Sequence, residues 1–112
     1  MQIITDVTDA GIILLGSPGT TVSNNTISNP TRRMQGGIVL ADFDPYAGDY
    51  SGVVIEDNKI ESTEMLKVGI SGGSAAWYGL EQQERLLANA TIRRNVLSGG
   101  AMGYGIVLSG YA

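Results

Sequence analysis

The side chains with the widest chemical reach are gathered in two stretches, DFDPYAGDYS at 42–51 and GSAAWYGLEQQERLLAN at 73–89. Five of the seven aromatics (Phe43, Tyr46, Tyr50, Trp77, Tyr78) and five of the eleven acids (Asp42, Asp44, Asp49, Glu81, Glu84) fall there. Aromatic rings cover the apolar face of a pyranose while carboxylates bond its hydroxyls. Asp42, Asp44, Tyr46, Trp77 and Tyr78 are therefore the candidate carbohydrate-binding residues. The same rings would equally anchor two long loops to a wall as a satellite cluster. Asp42, Asp44 and Asp49 offer the closely spaced hard oxygens that suit calcium, although Asp-rich turns often stand in water without a metal. No metal site or other cofactor is assigned.

Catalysis has few candidates. With no histidine and no cysteine, the usual neutral-pH proton shuttle, the thiolate nucleophile and the disulfide are absent. Tyr46 as an acid would need a strong perturbing partner, because a phenol titrates near pH ~10. No Arg or Lys is singled out as a base, so no catalytic residue is assigned and the reading leans away from an enzyme. A net charge of −4 argues against nucleic acid, whose binding draws on a basic face. No apolar run reaches the roughly 20 residues of a membrane span, and the N-terminus lacks the pattern of a signal peptide. Asn24-Asn25-Thr26 and Asn89-Ala90-Thr91 match the glycosylation tripeptide.

The elements that must hold these stretches are repeated. VSNNTIS, IEDNKIE and IRRNVLS align Asn25, Asn58 and Asn95, and GIILL, GIVLA, GISGG and GIVLS begin at Gly11, Gly37, Gly69 and Gly105. Repetition at this length marks a stacked architecture. The runs VVIE, ATIR and GIVL are rich in Val, Ile and Thr and bounded by Gly, Asn and Ser, which reads as short strands between turns. Alternation sends Ile12/Leu14, Ile38/Leu40 and Ile106/Leu108 to one face and Ile13, Val39 and Val107 to the other. Strands recurring in the same order without hairpin turns imply one coil per repeat and parallel pairing between coils.

Asparagine suits the bend of such a coil, since it tolerates left-handed backbone angles and its amide bonds to neighbouring groups. Stacked at about 4.8 Å, Asn25, Asn58 and Asn95 form a ladder in which each amide donates to the next. The segments SNNTISN, EDNKIES and RRNVLSGG, with their Gly-Ile strands, resemble the right-handed parallel β-helix repeat of the pectate lyase-like superfamily. The resemblance implies an all-β solenoid of about three coils over 1–112, in an extracellular or cell-surface setting. Phe43-Asp44-Pro45 is also similar to part of the active-site motif of the alginate C5-epimerases, in which a histidine follows the proline; here that position is Tyr46. The acidic motifs and Gly-His-Gly of polygalacturonases are absent.

From asparagine to the next glycine the spacing is 12, 11 and 10 residues, whereas from glycine to asparagine it grows as 14, 21 and 26. The insertions therefore leave one side of the solenoid, which in repeat proteins often marks a binding face. Within the second, Leu80 to Ala88 lacks Gly and Pro and places Leu80, Glu84 and Leu87 on one helical face, which predicts a short helix.

Four Gly-Ile strands against three asparagine turns predict a single module with incomplete coils at both ends. Solenoids normally end in polar capping repeats. Without them on the order of five apolar side chains would be open at an end, about 1.5 to 3 kcal/mol each. The expected partners are a second copy stacked end to end or flanking coils of a longer chain, with polysaccharide as the alternative ligand.

Overall fold

The computed structural model describes residues 2–14, 18–40, 48–72, 86–87 and 90–108. Thirteen strands follow one another: β1 (Ile3–Thr5), β2 (Ala10–Leu14), β3 (Thr21–Ser23), β4 (Thr26–Ser28), β5 (Met34–Leu40), β6 (Gly48–Asp49), β7 (Val54–Glu56), β8 (Lys59–Ser62), β9 (Leu66–Gly72), β10 (Leu86–Leu87), β11 (Thr91–Arg93), β12 (Val96–Gly99) and β13 (Met102–Leu108). Every pairing among the described residues is parallel. They build three walls, ordered β1-β4-β8-β12, β11-β7-β3 and β13-β9-β5-β2, with β10-β6 as a small addition. The chain visits the walls in fixed order, so β3-β4-β5, β7-β8-β9 and β11-β12-β13 are three full coils, preceded by a partial coil of β1 and β2. We number them coils 1 to 4 from the partial one. This is the expected parallel β-helix.

The register stacks like on like. Ile4, Ile27, Ile60 and Leu97 form one inward column, and Ile12, Ile38, Ile70 and Ile106 another. Val22 and Ile55 supply the third wall and, with Met34 and Leu66, complete a continuous buried cluster. Burying such a side chain stabilises the fold by about 1.5 to 3 kcal/mol, so these columns dominate the energetics.

The repeated glycine has a packing cause. A Cβ on Gly11 would lie 3.0 Å from Ile27 Cδ1, and one on Gly37 would lie 3.0 Å from Ile60 Cδ1 and 2.5 Å from the Gly69 carbonyl. At Gly69 it would overlap Leu97 and come within 2.7 Å of the Gly105 carbonyl. Each glycine is thus a socket that receives the large aliphatic side chain of the following coil.

Two expectations change. Val39, placed on the outer face by alternation, is buried although it lies outside the interior cluster, while Ile13 in the same column is exposed. Of the segment expected to be helical, Leu86–Leu87 is strand β10, held parallel to Gly48–Asp49; residues 80–85 and 88 lie outside the described residues. Backbone pairing between the two insertions overrides helix propensity there, and no helix occurs among the described residues.

Candidate functional site

Three surfaces of the module have chemistry: the tight corner between the β3 and β4 walls, the groove beside β13, and the two coil ends. At the corner the ladder exists as a continuous column. Asn25 Nδ2 donates to Asn58 Oδ1 and Asn58 Nδ2 to Asn95 Oδ1, both at 2.9 Å. Each Oδ1 also accepts a backbone N–H, from Asn25 and Asn58 respectively, at 3.0 Å. The second amide hydrogens of Asn58 and Asn95 go to the carbonyls of Val22 and Ile55. The Gln2 N–H donates to Asn25 Oδ1, so Gln2 holds the ladder position in coil 1. The left-handed residue is one position earlier than expected, at Asn24 (φ 57), Asp57 (φ 57) and Arg94 (φ 53). That leaves the ladder asparagines free to aim their side chains along the axis.

A second polar column escaped the sequence reading. Four residues after each ladder asparagine stand Asn29, Ser62 and Gly99, with Asp6 next to Thr5 at the same level of coil 1. The fully buried Asn29 donates to the carbonyls of Glu64 and Met65 and accepts from the Thr63 N–H. Ser62 Oγ accepts from the Ala101 N–H, and Asp6 accepts from Thr31 and Arg32. Each of these side chains caps the turn of the following coil. The common offset from the ladder was the available signal, hidden by the change of residue type.

Outside the corner, Arg93 Nε lies 2.7 Å from Glu56, and Arg94 reaches both Glu56 and Asp57 at 3.0 Å. These two arginines, adjacent in sequence, clamp coil 4 to coil 3. Hydrogen bonds from Arg94 hold the Asp57 carboxyl below its ordinary range.

The groove is an open hollow of about 650 Å³ lined by Thr8, Arg33, Gln35, Met65, Lys67 and Tyr104, among others. Among the described residues Arg33 and Lys67 form no ion pair, whereas Lys59, Arg93 and Arg94 do. Its lining has no carboxylate. Two free cations beside a phenol ring can attract an anionic group and cover an apolar one.

The expected sugar-binding residues Asp42, Asp44, Tyr46, Trp77 and Tyr78 lie outside the described residues, as do Phe43, Glu81 and Glu84; of Asp49 only the backbone in β6 is described. Tyr50 is not part of an exposed aromatic face: it is fully buried, its hydroxyl donating to the Leu14 carbonyl at 2.7 Å. The β6–β10 pair does bring the two insertions together.

At the ends the columns stop. Among the described residues, five of the six exposed large hydrophobics, Ile3, Ile13, Val96, Tyr104 and Ile106, lie in the terminal strands β1, β2, β12 and β13. Of these only Ile106 belongs to an inward column, and Leu97 and Met102 of the same coil stay packed on the cluster, so fewer inward side chains are laid open than expected. A Cβ on Gly105 would meet nothing within 4 Å.

Parallel coils, an internal asparagine column and glycine sockets define a β-solenoid. The chain matches the family model described as right handed beta helix region over residues 2–112, and it belongs to that family. No curated protein and no solved structure matches it.

Proposed function

We propose that this chain is a structural β-solenoid module whose end surfaces are completed by further coils, supplied by a second copy or by flanking sequence of an extracellular protein. The observation that carries this reading is the contrast along the glycine column: Gly11, Gly37 and Gly69 each receive an aliphatic side chain, and among the described residues Gly105 receives none. Ile106 is 48% exposed in a column whose inner members Ile38 and Ile70 are 0% exposed. Half-exposed side chains of this kind forfeit about 1 kcal/mol each, a sizeable sum against a domain stability of about 5 to 15 kcal/mol.

Hydrogen exchange tests it. In a dilution series followed by light scattering, β13 amides exchange much faster than β9 amides whenever coil 4 is bare, and the two converge when it is covered. A permanent monomer whose β13 amides are as protected as those of β9 would overturn the reading. Ile106→Lys is expected to abolish any cover at that end, because the ammonium would have to be desolvated.

The second reading is a carbohydrate-binding module. It is favoured by the groove of Arg33, Lys67 and Tyr104, which suits an acidic polysaccharide, and by the pairing of the two aromatic and acidic insertions through β6 and β10. Protection of Trp77 fluorescence from quenching by an acidic glycan, lost in Arg33→Ala/Lys67→Ala, would support it. No protection across a broad glycan panel would sink it.

A further inference from the structure

We infer that the coil completing the C-terminal end is coil 1 of a second copy of this chain, added in register so that β1 and β2 of one copy extend the walls ending in β12 and β13 of the other. This rests on the module reading above and names the occupant.

The argument comes from the columns. Outward positions of the β1-β4-β8-β12 wall run Ile3, Thr26, Lys59, Val96. The inner two are polar, as a solvated wall requires, whereas the terminal two are β-branched apolar residues, 73% and 56% exposed. Head-to-tail stacking makes Val96 and the incoming Ile3 neighbours, an apolar β-branched pair of the kind that stabilises adjacent strands. On the β13 wall two further columns run Ile13, Val39, Ser71, Val107 and Ala10, Gly36, Val68, Tyr104. The same operation sets Ile13 against Val107 and the small Ala10 against the 61%-exposed ring of Tyr104.

Inside, the fit is one to one. Among the described residues, Ile4 is the only member of its aliphatic column with no glycine socket, and Gly105 is the only glycine of its column with no aliphatic side chain against it. Stacking seats Ile4 on Gly105 and brings Gln2, at the ladder position, beneath Asn95. Two of the three walls become continuous. The third keeps a gap, since coil 1 has no described strand there and β11 would stand two strand spacings, about 9.6 Å, from the copy's β3. A contact of this head-to-tail type does not close on itself, so it generates open-ended assemblies.

The chain has no cysteine, so a pair can be placed cleanly. Register-matched residues of adjacent strands lie about 4.8 Å apart, within disulfide range. Oxidised Ile3→Cys/Val96→Cys is expected to give a ladder of dimers, trimers and larger species on a non-reducing gel. Ile3→Cys/Tyr104→Cys, whose sites lie on different walls, gives no such ladder. Adding Gly105→Leu to the first pair removes the ladder by filling the socket. In the unmodified chain, β13 protection should fall on dilution.

Oligomers without the ladder would overturn this register. A monomer without the ladder would overturn the second copy as occupant. If β13 amides in that monomer still exchange faster than β9 amides, the module reading survives with flanking coils; if they do not, it fails too.

Discussion

Coils 3 and 4 carry matching residues in matching columns, yet they behave as different materials. Ile70 is sealed and Ile106 half open; Gly69 has no room for a methyl group and Gly105 has open space. Asn58 is buried, with both faces of its amide engaged, whereas Asn95 is only partly buried and has nothing below it among the described residues. A solenoid residue therefore takes its energetic weight from its level in the stack as much as from its type. The interior coils make the fold, and the terminal coils are where binding energy remains unspent.

Substitutions at equivalent positions should break this comparison if it is wrong. The largest effect is expected at Asn58. Asn58→Ala strands the Asn25 N–H and Nδ2 and the Val22 carbonyl, and buried unsatisfied groups cost about 1 to 3 kcal/mol each. A loss of about 4 kcal/mol in denaturant titration is expected, against about 1 to 2 kcal/mol for Asn95→Ala, where water can replace the lost bonds. Next comes the glycine column. Gly37→Ala forces the Gly69 carbonyl and Ile60 apart and should cost about 1 to 3 kcal/mol. Gly105→Ala should change the monomer's stability by no more than about 0.5 kcal/mol. Equal losses at both glycines would mean that the end is already covered. Tyr50→Phe falls between the two glycine substitutions, about 1 kcal/mol, since it removes the buried hydrogen bond to Leu14 and keeps the ring.

The coil architecture was legible because its determinants repeat. Asn25, Asn58 and Asn95 share type and spacing, and the Gly-Ile strands share a pattern that only parallel stacking satisfies. What repeats in role without repeating in residue type was not legible. Asp6, Asn29 and Ser62 do the same capping work with three different side chains. The left-handed corner residue is Asn, Asp and then Arg, and the arginine carries no propensity for it. Tyr50 was grouped with the aromatics of the insertions by position alone, whereas its hydroxyl donates to the Leu14 carbonyl inside the core. Leu86–Leu87 read as helix because propensity is local and the partner strand at Gly48–Asp49 is 38 residues away. The candidate sugar-binding residues rest on composition alone, and the groove of Arg33, Lys67 and Tyr104 was invisible because its members come from three separate coils.

The smallest predicted effect is on pH, and it sharpens the comparison most. Asp57 is held below its ordinary value of 3.8 first by hydrogen bonds from Arg94 and then by the charges of Arg94 and Arg93. Asp6 is held low first by the Thr31 N–H, with the Thr31 hydroxyl, the Arg32 N–H and the Arg32 charge adding to it. A depressed carboxyl contributes stability that is present above 3.8 and lost as the pH falls through the lower folded-state value. Asp57 ties coil 3 to coil 4 and Asp6 ties coil 1 to coil 2, whereas coils 2 and 3 are joined by neutral contacts, among them the Asn25–Asn58 rung, the Asn29 cap and the apolar columns. Acid should therefore loosen the ends before the middle. As the pH falls below 3.8, amide exchange in β1 and β12 is expected to accelerate while β4 and β8 hold, with Asp57→Asn removing the acid dependence at β12 only. Exchange rising together in all four strands at one pH would show that the module unfolds as a single unit, and that its terminal coils are not the separately weak surfaces on which a partner could act.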